Sequence, residues 1–564
     1  MKLKTILLGG ISLITLGTIS SCTDMMDTNS KLVMFSQDNT LDAATDTVYS
    51  VMGIIGKMQA VADQSVLLGE IRGDMVELTP KASVDLQELA QFNVSSHNAY
   101  TSATTYYAVI NNCNYFLAHV DTSLKKRNEY VFMKEFAAVK TFRAWTYLQL
   151  AMTYGNVPFI LDPILTEAAA NKTYPIKNIQ EICNYFIEDL APYVDTPFPG
   201  YGAIMGLDSK KFFLPTRVVL GDLCLWGERY AEAAKYYHDY LTNESSPIAI
   251  GLNQTIWNKE STTFTNFQNS YSNLFSSVGN SEIISYIPME STSSLEAYSG
   301  LRNVFNSTIQ NNYYFQATPS GRLMELSKAQ SNCIIFSVKD TLFAPVKNDE
   351  KPLWVGDLRL TSVYTVTNGS SGTNDGNSTT SNLYSTKRQT IGKFSTGHVI
   401  LYRRGQIYLR FAEALNRAGF PESAFTILKY GLYPANVARY VNVGERTAAA
   451  NLIAFSQYSF SNTNTLGIHA RGSGDTYANK YYKIAQELNL NDSINFVEDM
   501  ICDEMALETS FEGNRFFDLV RMALHRVDSN WLAEKIAERK GSANVDVQLK
   551  ESLKDKTKWF LPLH

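Results

Sequence analysis

Residues 216–240 read TRVVLGDLCLWGERYAEAAKYYHDY: an apolar helical pattern, a turn at Gly227-Glu228-Arg229-Tyr230, then a second pattern with Ala231, Ala233 and Ala234. Residues 399–430, VILYRRGQIYLRFAEALNRAGFPESAFTILKY, repeat the arrangement around a turn at Gly419-Phe420-Pro421. In both, small side chains on facing helices permit close approach, and aromatic rings fill the remaining space. A single helical hairpin cannot bury its own apolar face, so such units stack. The two stretches predict an all-α scaffold of tetratricopeptide-like hairpins, with weaker units near 41–63, 100–154 and 496–525.

The spacing also predicts a helix over 127–154. Phe132, Phe136, Val139 and Phe142 recur at steps of three and four, and Trp145, Leu148 and Met152 continue the stripe. Gly155 and Pro158 end it. Tyr106, Ile110, Cys113 and Leu117 show similar spacing just upstream. Between about 241 and 395 this periodicity fades, while Asn, Ser, Thr, Tyr and Gly increase. Glu282–Ile287 and Ser362–Val366 read as short strands. Residues 368–382, NGSSGTNDGNSTTSN, lack apolar side chains and predict an exposed loop. A second irregular block spans about 435–495. The scaffold therefore occupies about 41–240, 399–430 and 496–525, and carries two long insertions of the kind that usually hold function.

Of the 564 residues, 45% are hydrophobic and 19% charged, and the net charge is −5. A large core fits this composition, and the absence of a basic surplus argues against a nucleic-acid partner. Length alone suggests about three or four domains. Cys113, Cys183, Cys224, Cys333 and Cys502 are odd in number and widely spaced, so they predict buried inert thiols, not a disulfide framework. The sequence contains no phosphate-binding glycine motif, H-E-x-x-H or G-x-S-x-G. His119 and His238 fall in helical patterns and read as structural. No cofactor and no metal is implied.

At the amino terminus, Lys2 and Lys4 precede an uncharged run from Ile6 to Ile19, and Ser20-Ser21 precede Cys22. This is the layout of a cleaved export signal, with a run shorter than the roughly 20 apolar residues a span needs. A cysteine at the junction points to a lipoprotein: signal 1–21, with Cys22 as the lipid-bearing first residue. The alternative is an ordinary secretory signal with a chance cysteine.

Residues 508–521, ETSFEGNRFFDLVR, join two helical patterns at Gly513. Glu508 and Glu512 share one helix face, and Asp518 and Arg521 are three apart on the next. They read as a salt-bridged helix junction, and Arg410 and Glu413 as inter-helix polar ties.

Together these segments resemble the SusD/RagB family, the surface nutrient-binding lipoproteins of Bacteroidetes. The resemblance rests on Cys22 after its signal and on EFAAVKTFRAWTYLQLAMTYGNVPFI (135–160). It rests also on 216–237, on IYLRFAEALNRAG (407–419), on DEMALETSFEGNRFFDLVR (503–521) and on the ending TKWFLPLH (557–564). It implies one SusD-like domain over 22–564, with about four tetratricopeptide units against an irregular ligand-binding part. It further implies a non-catalytic outer-membrane protein, exposed at the cell surface and lipid-anchored, that captures oligosaccharides, or sometimes peptides, for a SusC-like TonB-dependent transporter. A surface hydrolase on the same anchor and a purely structural helical-repeat protein are the competing classes.

The family tends to build its site from the loop after the first helix and from the central insertion. Here those regions contain Arg72 and Asp74, candidates for hydroxyl or charge contacts, which alternatively pair structurally. They also contain Tyr298, Arg302, Tyr313, Tyr314 and Trp354, candidates for stacking and hydrogen bonding to sugar faces and rims. Each aromatic also has a plain reading as a packed insertion residue. Gly467–Asp475, GIHARGSGD, reads as a rigid turn, or alternatively as a pocket rim or transporter contact.

Overall fold

The computed structural model describes Leu41 and residues 44–563, apart from 244–254, 261–262, 291–296, 307–314, 338–339, 345–355, 370–385 and 461–465. The expected signal, Cys22, Tyr313, Tyr314, Trp354 and most of the polar loop 368–382 lie outside the described residues.

The first helices are α1 (Ala44–Glu70), α2 (Val84–Gln91), α3 (Thr104–His119) and α4 (Met133–Tyr154). A single turn, α5 (Glu167–Ala170), precedes α6 (Ile179–Leu190), α7 (Thr216–Trp226) and α8 (Tyr230–Asn243). In the central insertion α9 (Leu301–Phe305), α10 (Gly321–Ala329) and α11 (Leu358–Val363) sit among two-stranded ribbons. Helix returns in α12 (Arg404–Arg417) and α13 (Pro421–Lys429). The second irregular block holds the short α14 (Pro434–Tyr440), α15 (Val443–Ala448), α16 (Ala450–Ile453) and α17 (Ala470–Ser473). Then come α18 (Leu490–Thr509), α19 (Arg515–Arg526), α20 (Ser529–Ala537) and α21 (Val547–Leu553).

The all-α reading holds, and helices adjacent in sequence pack as hairpins: α3 on α4, α7 on α8, and α12 on α13. Local chemistry sets the boundaries. Asn178 and Glu181 form a capping box on α6. Gly155, at φ +75°, closes α4. The α7–α8 contact requires a glycine, because a Cβ on Gly221 would lie 2.6 Å from the Tyr237 ring. Two expected helices start late. Residues 125–130 form a ribbon turning at Arg127 and Asn128, both at positive φ, so α4 begins at Met133 and not at 127. Val399–Arg403 is a strand paired with the expected strand Ile283–Ile287, and α12 begins at Arg404. At 362–366 the expected strand begins only at Tyr364, after α11. One apolar core runs from Leu41 to Leu561 and contains Cys113, Cys183, Cys224 and Cys502; Cys333 is buried beside it.

A buried ion cluster holds the insertions on this core. Glu508 Oε1 accepts from Arg403 Nη1 at 2.6 Å and from Arg471 Nη1 at 2.6 Å, while Oε2 accepts from Arg359 Nη1 at 2.8 Å. Glu282 takes Arg471 at 2.5 Å, Asp357 takes Arg359 at 2.7 Å, and Glu512 takes Arg403 at 2.6 Å and Lys393 at 2.5 Å. Burial alone would raise the Glu508 carboxyl, but the nearby guanidiniums of Arg471, Arg403 and Arg359 hold it well below the usual carboxylate range. The motif read as a salt-bridged junction is therefore one, and it reaches much further than its own two helices. Arg521 pairs with Glu413 at 2.6 Å and Asp518 at 2.8 Å, and Arg410 pairs with Asp222 at 2.5 Å. The Gly467–Asp475 stretch is a buried turn: it delivers Arg471 to the cluster and His469 to Glu504 at 2.6 Å.

Helix α1 docks on the same junction. A Cβ on Gly69 would fall 1.8 Å from the Gly513 carbonyl oxygen, so backbone meets backbone there, with Gly513 at φ +86°. The Glu70 carboxylate accepts Phe511 N–H and Gly513 N–H, each at 2.8 Å. Burial pushes its pKa up to about 7 despite these donors.

Replacing Glu508 with Ala leaves three guanidiniums without their shared acceptor, and should cost about 3–5 kcal/mol in urea unfolding. Glu70 binds its proton more tightly folded than unfolded, so its contribution is complete below about pH 4.5 and is lost as pH rises through about 7. Melts of Glu70→Gln should therefore lack a decline of about 3 kcal/mol that the parent shows between those limits.

Candidate functional site

The loop after α1 and the central insertion do meet. Val76–Leu78 pairs antiparallel with Ala317–Pro319, and Ser320 Oγ donates to the Asp74 carbonyl at 2.7 Å. The loop's two charged candidates, however, point inward. Arg72 is 1% exposed; it donates to the Trp559 carbonyl and lies 4.0 Å over the Phe516 ring, and burial lowers its pKa to about 9. Asp74 is 0% exposed and forms a two-pronged pair with Arg515, at 2.6 and 2.9 Å. In this structure the two side chains face protein, and they pair with other residues, not with each other. Trp559, from the terminal TKWFLPLH motif, is fully buried and supports Arg72 from below.

Tyr298 and Arg302 lie together on the segment 297–306, and both are half-buried. Tyr298 bridges to Glu290. Arg302 Nε donates to the Phe394 carbonyl at 2.7 Å and Nη2 to the Ser395 carbonyl, which ties α9 to the turn before the strand Val399–Arg403. The segment is also fastened to α1: Asp63 accepts Ser299 Oγ and Gly300 N–H, each at 2.6 Å. His398 stands beside Arg302; its Nδ1 accepts Met289 N–H at 3.0 Å, so the neutral ring carries its proton on Nε2. Burial first, and Arg302 second, lower the His398 pKa. Tyr100, half-buried on the loop before α3, has its phenol pKa raised by burial, then by Asp63 and Asp85.

Half-buried Tyr298, Tyr100 and Arg302 are side chains of the kind suited to the C–H faces and hydroxyl rims of a polar ligand, while both Asp63 oxygens are already engaged. Among the described residues no His, Cys, Asp or Glu group converges as a metal site. Asp63, Tyr100 and His398 were not legible as site residues. Asp63 is one of three carboxylates in a mostly apolar helix, and its partners Ser299 and Gly300 are 236 and 237 positions away. Asp63→Ala would leave the Gly300 N–H and the Ser299 hydroxyl without their acceptor. It should cost about 1–3 kcal/mol and speed hydrogen exchange across 297–306 while α3 and α4 keep their protection.

Residues 356–564 match the model of the SusD family. Among curated proteins none matches the chain. Solved structures do. A SusD superfamily protein from Bacteroides fragilis aligns with a TM-score of 0.57 at 15% identity, over 93% of this chain and 96% of its own. One from Bacteroides thetaiotaomicron gives 0.55 at 15% identity, over 92% and 94%. A structure described as a SusD-like carbohydrate-binding protein, also from Bacteroides fragilis, gives 0.51 at 15% identity, over 88% of each chain. The chain is therefore SusD-like: its residues 356–564 match the SusD family, and its fold is that of the SusD superfamily.

Proposed function

We propose that this protein captures oligosaccharides at the cell surface without cleaving them and passes them to a SusC-like TonB-dependent transporter. Residues 1–21 are its signal, Cys22 carries the lipid that holds it on the outer membrane, and 22–564 forms one SusD-like domain with tetratricopeptide-type hairpins. No helix among the described residues is long and apolar enough to cross a membrane, which is compatible with a lipid tether.

The observation that carries the reading is the shared fold, which extends to a structure described as a carbohydrate-binding protein. The local chemistry supports it. Half-buried Tyr298 sits on a segment fixed at Asp63, the half-buried Tyr100 feels the same carboxylate, and aromatic surface with polar rims suits sugars at small entropic cost. Tyr298 and Arg302 are the proposed contacts, with Tyr313, Tyr314 and Trp354 on the neighbouring stretches of the same insertion. Arg72 and Asp74 act as internal supports of the loop after α1.

Calorimetry of the full chain against panels of oligosaccharides and peptides tests this. Saturable binding of an oligosaccharide is expected, with the ligand recovered intact by chromatography. Tyr298→Ala should weaken that binding about tenfold, the scale of one lost aromatic contact. Cleavage of the glycan, or binding of peptides alone, would overturn the reading.

A further inference from the structure

A cleft lies between the scaffold helices, with Tyr298 not among its lining residues. Trp145 and Gln149 on α4, Trp226 on α7, Gln406 and Arg410 on α12 and Asn514 at the junction line a cleft of about 50 Å³. Trp145 and Gln149 are four apart, so they share one face of α4. A water needs about 10–15 Å³ of such space, so the cleft has room for a few waters or for the edge of a small polar molecule.

The lining is rich in donors. Trp145 and Trp226 are 4% and 6% exposed, and neither Nε1 donates to any described residue. Neither Nε1 is sealed from solvent, so the open part of each ring includes its N–H. The half-buried Gln149 amide also has no partner among the described residues. Gln406 and Asn514, by contrast, are engaged: the Gln406 amide donates to the Leu401 carbonyl at 3.2 Å and accepts from Arg410 Nη2 at 2.9 Å, and Arg410 Nη2 also donates to Asn514 Oδ1 at 3.1 Å.

Charge on the walls is neutralised in pairs. Arg410 is held by Asp222 at 2.5 Å, Arg521 by Glu413 at 2.6 Å, and Glu512 by Arg403 at 2.6 Å. An anion entering the cleft would face Asp222 and Glu512, and a cation would face Arg410 and Arg521. A hydrocarbon would leave both indole N–H groups and the Gln149 amide without acceptors, at a desolvation cost.

We propose that this cleft binds a small uncharged polyol unit, such as the hydroxymethyl or glycol edge of a sugar or of glycerol. Its oxygens accept from the indole N–H groups and the Gln149 amide, and its carbons lie against the tryptophan rings. The site does not depend on glycan capture at the Tyr298 surface.

The test titrates the full chain with glycerol and a methyl glycoside, followed by tryptophan fluorescence and by saturation-transfer NMR. Acetate and methylammonium serve as charged probes. Saturable binding of the neutral probes is expected, with neither charged probe binding. Gln149→Leu and Trp226→Phe should each weaken it about tenfold. Gln149 is half-buried, so its variant keeps the test valid if the tryptophan variant fails to fold. Non-saturable responses to both neutral probes, equal binding of a charged probe, or unchanged affinity in Gln149→Leu would each overturn the proposal.

Discussion

The structure depends on three guanidiniums that have no access to water. Arg359, Arg403 and Arg471 are all 0% exposed, and each reaches an oxygen of the same carboxylate, Glu508. A buried cation is tolerated only where carboxylates and hydrogen bonds surround it. The chain meets that demand by drawing together segments that are remote in sequence. Glu282 stands just before the strand Ile283–Ile287, Asp357 and Arg359 at the start of α11, Arg403 at the threshold of α12, and Arg471 in the glycine-rich turn. Each is fixed by direction as well as by burial, because guanidinium–carboxylate pairs impose geometry that apolar packing does not.

The 508–521 motif acts as a keystone, since its charges reach several separate parts of the protein. Glu508 takes Arg359 and Arg471 of the two insertions, Glu512 takes Lys393, Arg515 takes Asp74 on the loop after α1, and Arg521 takes Glu413 on α12. The backbone of the same turn receives Glu70 through two N–H groups. Buried ion pairs are weak evidence of net stability. Their effect here is better described as specification, because several long-range segments must arrive in one register for all the charges to be answered.

The parts legible in the sequence are those with local physics. Helical period, small residues at close contacts and turn signals locate α3, α4, α7, α8, α12 and α13, because each of those signals acts within a few residues. Glu508 and Glu512 were expected on one helix face, but α18 ends at Thr509 and Glu512 stands in the turn, so the two carboxylates meet the cluster from helix and turn. The misplaced starts at 127 and 399 arise where strand pairing overrides helical pattern, and for 399–403 the partner strand lies more than a hundred residues upstream. Arg72 and Asp74 are hidden by the same mechanism. A charged pair in a loop after a helix has the composition of an exposed site, and nothing nearby announces that Arg515, 441 positions on, will bury Asp74. Distance in sequence, more than chemistry, sets the limit of what could be read.

This division of labour bears on how the proposed ligand surface can work. The segment 297–306 lies between two fixed points, the cluster residue Glu282 upstream and Lys393 downstream, and is fastened again at Asp63. Arg302 holds it through carbonyls of the 392–395 turn, so the guanidinium fixes backbone whatever side chains stand beside it. Backbone anchors of this kind constrain where the surface sits and leave its side-chain chemistry free. A scaffold built this way presents different rings and rims from one position, with little ordering left to occur when a ligand arrives.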